Sequence, residues 1–203
     1  MKYTGPKIKK ARRLGIALSQ KAERYLEKRP NPPGQHGPNR RRTKQSDYGK
    51  QLTEKQRLRY QYNLSENQLR GVFKKAARKQ GNTGEVMLQM LESRLDTVVL
   101  RAGMARSIFQ ARQMVSHAHF RVNGKKVNIP SYIVKINDEI SIRDKSKKLA
   151  IVHDSVKQVK GDLSSSWLSL DKASLSGIIT KLPEKEDFDP TIKVQMVVEL
   201  YSK

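Results

Sequence analysis

The chain has 203 residues, with 42 Lys and Arg against 19 Asp and Glu, a formal net charge of +23 at pH 7 and a sequence pI near 10.3. A surplus of this size calls for a polyanionic partner, nucleic acid before membrane, because uncompensated like charges repel on a compact chain. Apolar runs of about four residues cannot span a bilayer, the basic start lacks the apolar h-region of a secretory signal, and zero cysteines exclude disulfides, thiolate metal sites and cysteine nucleophiles, which fits a cytosolic protein.

The charge is uneven. There are 15 basic against 3 acidic residues in 1–50, 8 against 3 in 51–90, 12 against 5 in 91–150, and 7 against 8 in 151–203. Contacts to a polyanion therefore belong to the first three quarters, and the near-neutral last quarter has another task. Residues 1–44 are dense in Lys, Arg, Pro and Gly without sustained periodicity, which predicts an irregular basic arm that orders on phosphate. Its charges are Lys9, Lys10, Arg12 and Arg13, then Arg40, Arg41 and Arg42; the Pro- and Gly-rich run from Arg29 to Pro38 predicts a stiff, extended crossing.

Residues 45–90 predict a helical domain. Leu52, Leu58 and Tyr62 give a first helix flanked by Lys55, Arg57 and Arg59. Ser65 and Gln68 form a capping box ahead of Leu69, Val72, Phe73 and Ala76, and Gly81 closes that second helix. Its outer face carries Arg70, Lys74, Lys75, Arg78 and Lys79 without acidic partners, and Met87, Leu88 and Leu91 begin a third helix.

Leu91, Leu95, Val98 and Val99 then predict a helix ended at Gly103, and Ser107 with Gln110 a capping box for a helix striped by Ile108, Ala111, Met114 and Val115. The period drops to two at Phe120-Arg121-Val122, and Asn123-Gly124 predicts a hairpin, because both turn positions need positive φ. Lys126 to Ile129 is the returning strand, Pro130 breaks it, and Ile136 to Ile142 makes another. Ile151, Val152 and Val156 permit strand or helix, and Ser164-Ser165-Ser166 marks a loop beside Trp167, read as a packing anchor ahead of a base-stacking ring. Asp189 and Pro190 suit N-cap and N1 of a short helix carrying Val194, Val197, Val198 and Tyr201, though Val-Val also permits a strand.

Function concentrates on the polar face of the central unit. Arg106, Gln110, Gln113 and His117 form one stripe at i, i+4, i+7 and i+11, and Arg106, Arg112 and His117 are expected to face outward. Arg112, His119, Arg121, Lys125 and Lys126 carry positive charge onto the hairpin. A solvated helix face competes with this reading. Against it, the stripe has no acidic residue, and its forked or planar donors suit phosphate and base edges.

Arg94-Leu95-Asp96, Met104 to Ser107, Ala111 to Val115, His117, Val122-Asn123-Gly124 and Pro130-Ser131-Tyr132 resemble the RNA-binding module named after small-subunit ribosomal protein four. Tyr3-Thr4-Gly5-Pro6, Arg12 to Gly15, Arg29 through Gly37, Asp47-Tyr48-Gly49, Leu182-Pro183-Glu184 and Asp189-Pro190 resemble the bacterial-type family of that protein itself. The resemblance implies an α+β fold: a mostly helical first domain, an inserted module of two helices and antiparallel strands, and the irregular N-terminal arm. The expected domains are an arm of residues 1–44, a discontinuous helical domain of 45–90 completed by 173–203, and a module of 91–172 with its core at 91–155. Some relatives bind a metal through an N-terminal cysteine cluster; this chain has no cysteine, and His36 alone cannot replace one.

The resemblance further implies a structural constituent of the small ribosomal subunit that clamps a junction in the 5′ domain of its RNA, nucleates assembly and contributes to accuracy at the mRNA entry side. Its partners are then ribosomal RNA, neighbouring small-subunit proteins and mRNA, in a cytoplasmic or organellar bacterial-type ribosome, without membrane, cofactor, metal or small-molecule substrate. The RNA contacts expected are Lys9, Lys10, Arg12, Arg13, Arg40, Arg41, Arg42, Arg57, Arg70, Lys74, Arg78, Arg106, Gln110, Arg112, Gln113, His117, His119, Arg121 and Lys125. Ser93-Arg94-Leu95-Asp96 resembles the Gly-Arg-Leu-Asp of pseudouridine synthases, but serine replaces glycine and no catalytic domain remains. Asp96 reads as a cap or ion-pair member in a helix, where Arg94 at i−2 faces another way. A phosphate loop, dinucleotide fingerprint and metal cluster are all missing from the sequence. A free-standing RNA-binding regulator built on the module is the alternative; it would need neither helical domain nor arm.

Overall fold

The computed structural model describes residue 3 and residues 5–38, 45–158, 166–171 and 174–203. The chain divides into two compact units, Met1–Met87 with Asp189–Lys203, and Leu88–Phe188. Among the described residues of the N-terminal segment, irregular chain dominates only past Lys28, and two helices precede it. Helices α1 (Lys7–Leu14) and α2 (Gln20–Lys28) form there because Ala11, Leu14, Leu18 and Ala22 are buried. Gly15, at φ 67, ends α1 in the left-handed conformation, and the Ser19 hydroxyl caps α2 by accepting from the Ala22 N–H. The Pro-rich run that follows is held by Arg12, which donates to the carbonyls of Arg29, Asn31 and Pro32.

Helix α3 (Asp47–Gln61) is capped by Ser46 and buries Leu58 and Tyr60, with Tyr62 buried just past its end. Both bonds of the Ser65/Gln68 capping box are present at α4 (Glu66–Ala76). That helix stops at Ala76, before Gly81, whose φ of +106 belongs to the turn beyond.

Helix α5 (Thr83–Glu92) contains the division between the units. The single helix predicted from Leu91 to Gly103 is broken at Arg94, which is extended (φ −74, ψ 140) and bridges to Ile133 before α6 (Leu95–Arg101) begins. The break is stabilised from outside the helix: the orphan N–H groups of Leu95 and Asp96 donate to the carbonyls of Tyr132 and Pro130. Helix α7 (Ile108–Ser116) follows, then β1 (Phe120–Val122) and β2 (Lys125–Val127), joined by Asn123 at φ 50 and Gly124 at φ 74. Both turn residues are thus left-handed, as the Asn-Gly pair predicts. The Asn123 side chain also pins the turn to the next strand, β3 (Glu139–Ile142): its Oδ1 accepts from the Glu139 N–H and its Nδ2 donates to Asp138.

Helices α8 (Asp144–Lys147) and α9 (Ala150–Gln158) precede β4 (Leu168–Asp171) and β5 (Ser176–Ile179). The sheet is antiparallel, in the order β2-β1-β3-β5-β4. The three strands expected up to Ile142 are present, and β4 and β5 extend the same sheet beyond them. Residues 173–203 were expected in the helical domain, yet β5 pairs with β3, Ile178 opposite Glu139. Trp167, 1% exposed, packs in a core with Leu95, Val115, Phe120, Ile140, Ile142 and Ile179, which leaves no ring face for a base.

The last helix, α10 (Val194–Ser202), belongs to the first unit and packs on α3. Gln51 donates to Glu199, the Tyr201 hydroxyl donates to Glu66, and the Phe73 and Tyr201 rings lie 5.1 Å apart. Asp189 and Pro190 do not cap it. Its N-cap is Lys193, and Asp189 instead accepts from the Thr191 N–H and hydroxyl and from Gln61.

Candidate nucleic-acid interface

In the second unit, Asp96 is fully buried and Arg94 clasps it with two bonds, Nε at 3.0 Å and Nη2 at 2.8 Å. The expected divergence of the two side chains fails because Arg94 is not helical. Its extended backbone turns the guanidinium back onto the carboxylate. Asp96 is therefore an ion-pair member, and it also accepts from the Thr97 N–H. Burial pushes its pKa up, opposed by the Arg94 bonds and by the charges of Arg94 and Arg112. Arg112 Nη1 lies 3.8 Å from Asp96 Oδ2, with its side chain only 16% exposed. The outward orientation proposed for Arg112 is thus corrected: the guanidinium serves a buried acid.

The rest of the α7 stripe is mixed. Arg106 is exposed, but its Nη2 lies 3.1 Å from Asp154 of α9. The missing acid of the stripe is supplied by an element whose position the spacing on α7 cannot reveal. The capping box is half-formed: Ser107 accepts from the Gln110 N–H, while the Gln110 side chain accepts from the Arg106 N–H, one residue ahead of the cap. Gln113 and His117 are exposed, and His117 is the C-cap. His119 is half-buried with Nδ1 2.9 Å from the Ser146 hydroxyl. Burial first, then the charges of His117 and Arg143, hold its pKa below the ordinary value, so it offers a neutral ring at pH 7. Arg121 Nη1 lies 3.3 Å from Asp144, and Lys125 and Lys126 stand exposed at the hairpin tip.

In the first unit, Arg70, Lys74, Lys75, Arg78 and Lys79 are all exposed along and just past α4, and none forms an ion pair among the described residues. Lys9 and Arg13 are exposed on α1, with Lys10 half-buried beside them. Arg12 and Arg57 are engaged internally. Arg57 Nε donates to the carbonyl of Leu14 at the end of α1, and its Nη1 lies 2.7 Å from Glu54. Arg57 thus joins α1 to α3, which leaves it less available than a flanking residue should be. Arg40, Arg41 and Arg42 lie outside the described residues. Sequence spacing treated Arg59 as a helix flank, yet it stacks over the Tyr60 ring at 4.7 Å and lines a cleft with Lys10 and Arg13. Only the density of Lys and Arg in both segments hinted at that.

Among the described residues no helix is long and apolar enough to cross a membrane, and no group of three or more His, Cys, Asp or Glu could hold a metal ion. The family model described as Ribosomal protein S4/S9 N-terminal domain matches residues 2–92, and that described as S4 domain matches residues 93–140. The chain is 47% identical over 204 residues to small ribosomal subunit protein uS4 of Roseiflexus castenholzii, covering 100% of this chain and 99% of that protein. It is 48% identical over 202 residues to small ribosomal subunit protein uS4 of Chlorobaculum tepidum and 46% identical over 202 residues to that of Chlorobium limicola, again covering 100% of this chain and 99% of each relative.

Proposed function

Since the chain belongs to the family of small ribosomal subunit protein uS4, we propose that it is a structural constituent of the small ribosomal subunit, placed in the cytoplasmic ribosome. It binds ribosomal RNA without a chemical step. The observation that carries the mechanism is the row of five exposed cations on and after α4, which have no acidic partner among the described residues. Each Lys or Arg that meets a phosphate releases a condensed counterion, and that release supplies affinity without reading sequence. Folded RNA presents its backbone and shallow groove to such surfaces, so recognition follows shape more than base identity.

The finer reading is that the protein clamps a helical junction in the 5′ domain of small-subunit RNA and nucleates assembly there. In it, the protein contributes to accuracy near the mRNA entry side, and its near-neutral last quarter meets neighbouring small-subunit proteins. A free-standing regulator would need the module alone, whereas the family match covers residues 2–92 as well. Chemical footprinting of protein-free small-subunit RNA with the purified chain tests this reading. Protection should concentrate in the 5′ domain. Protection spread evenly over the RNA, or no preference over an unrelated folded RNA of equal length, would overturn it.

A further inference from the structure

A cleft of about 320 Å³ opens in the first unit between α1 and α3. Lys10 and Arg13 contribute from α1 and Arg59 from α3, while Gln56 adds a neutral donor. Leu14 and Leu52 supply apolar surface, and no carboxylate lines the cleft among the described residues.

Among the described residues, only Arg59 of the three cations is engaged by an acid, Glu66. Lys10 and Arg13 form no ion pair among the described residues. Arg59 donates to the Tyr60 hydroxyl at 3.0 Å and lies a long 3.6 Å from Glu66, and its buried Nε has no acceptor. Three positive groups converging on one concavity disfavour an empty site and favour an anion. The Tyr60 ring is already covered, edge-on by Tyr3 at 5.4 Å and by Lys10 and Arg59 at 5.5 and 4.7 Å, so it offers no stacking platform. The volume lies at the small end of ligand pockets, roughly 300–1,000 Å³. That is room for one nucleotide and not for a duplex, and RNA readers take nucleotides splayed out of the helix.

We propose that this cleft takes one unpaired nucleotide of the bound RNA, its phosphate among Lys10, Arg13 and Arg59 and its nucleoside against Leu14 and Leu52. The inference rests on the RNA-binding reading above and names a place where that RNA leaves its helix.

The test separates a built cavity from a diffuse basic surface. Leu52→Trp fills the cleft while keeping every charge, and Gln56→Trp does so from the next turn of α3. Filter binding of full-length protein to a small-subunit RNA transcript, across salt concentrations, is compared with melting temperature. Both variants should melt like wild type and bind about tenfold more weakly, and Arg13→Ala should make the salt slope shallower by roughly 0.7. Independently, phosphate-ethylation interference on the wild-type complex should mark a phosphate of an unpaired nucleotide, and that mark should vanish with Arg13→Ala. If wild type binds the transcript while a folded filling variant binds equally well, or no Arg13-dependent mark appears, the cleft proposal falls and the RNA reading stands. If wild type does not prefer the transcript over an unrelated folded RNA, the RNA reading itself falls.

Discussion

The α4 face and the polar face around α7 look alike in sequence, both carrying cations and no acid of their own beside an apolar stripe, yet they sit in different electrostatic company. On α4 the five cations have no acid among the described residues. Around α7, Arg106, Arg112 and Arg121 are met by Asp154, Asp96 and Asp144. The lesson is that a cation's availability depends on which acids other elements bring to it. The α7 partners are not equivalent either. Asp154 and Asp144 are well exposed, so those pairs are screened, are worth about 0–1 kcal/mol, and can be exchanged for a phosphate. Asp96 is fully buried, and taking Arg112 or Arg94 away from it is a question of folding.

The largest expected effect lies on that buried acid. Asp96→Ala should destabilise the second unit by about 3–5 kcal/mol, because it strands a buried guanidinium, and Arg112→Ala should lower the melting temperature in the same direction by less. Thermal denaturation checks both. If Arg112→Ala melts like wild type while losing RNA affinity, the contrast between the two faces breaks down. Next in size, replacing Arg70, Lys74 and Arg78 together by Ala should make the salt dependence of RNA binding shallower by roughly two to three units while leaving stability within about 0.5 kcal/mol. An unchanged slope in salt titrations would mean that α4 merely faces solvent.

A smaller effect sharpens the comparison. Asp154→Asn releases Arg106 from its exposed partner and should tighten RNA binding, by about twofold to fivefold. Weaker binding in a direct titration would show that Asp154 positions Arg106 for the RNA. The smallest effect concerns His119, whose folded pKa lies below the ordinary 6.5. The unfolded chain then takes up the proton more readily, so the stability contribution is complete above that value and declines as pH falls below it. Melting curves from pH 7.5 to 5 should show this decline, and His119→Gln should flatten it.

What could be read from the residues alone was local in origin. The Ser65/Gln68 box and the Asn123-Gly124 turn each depend on atoms within a few positions of one another, so their spacing carries the whole signal. The break at Arg94 depends on the carbonyls of Pro130 and Tyr132, and β5 is a strand because β3 lies beside it. The N-terminal helices escaped notice because four small or branched apolar residues, Ala11, Leu14, Leu18 and Ala22, suffice when α3 is at hand. At the candidate interface, residue type was legible and charge pairing was not. Arg106 and Arg112 read as free cations until Asp154 and Asp96 are placed next to them.

The pinned hairpin tip has a thermodynamic consequence of its own. Because Asn123 is bonded through both side-chain atoms to the start of β3, the tip that carries Lys125 and Lys126 is ordered before any partner arrives. A loose loop of the same charge would forfeit about 1–2 kcal/mol of backbone entropy for each residue it fixed on docking. The tip instead behaves as a preformed finger, and only its lysine side chains have freedom left to lose on contact.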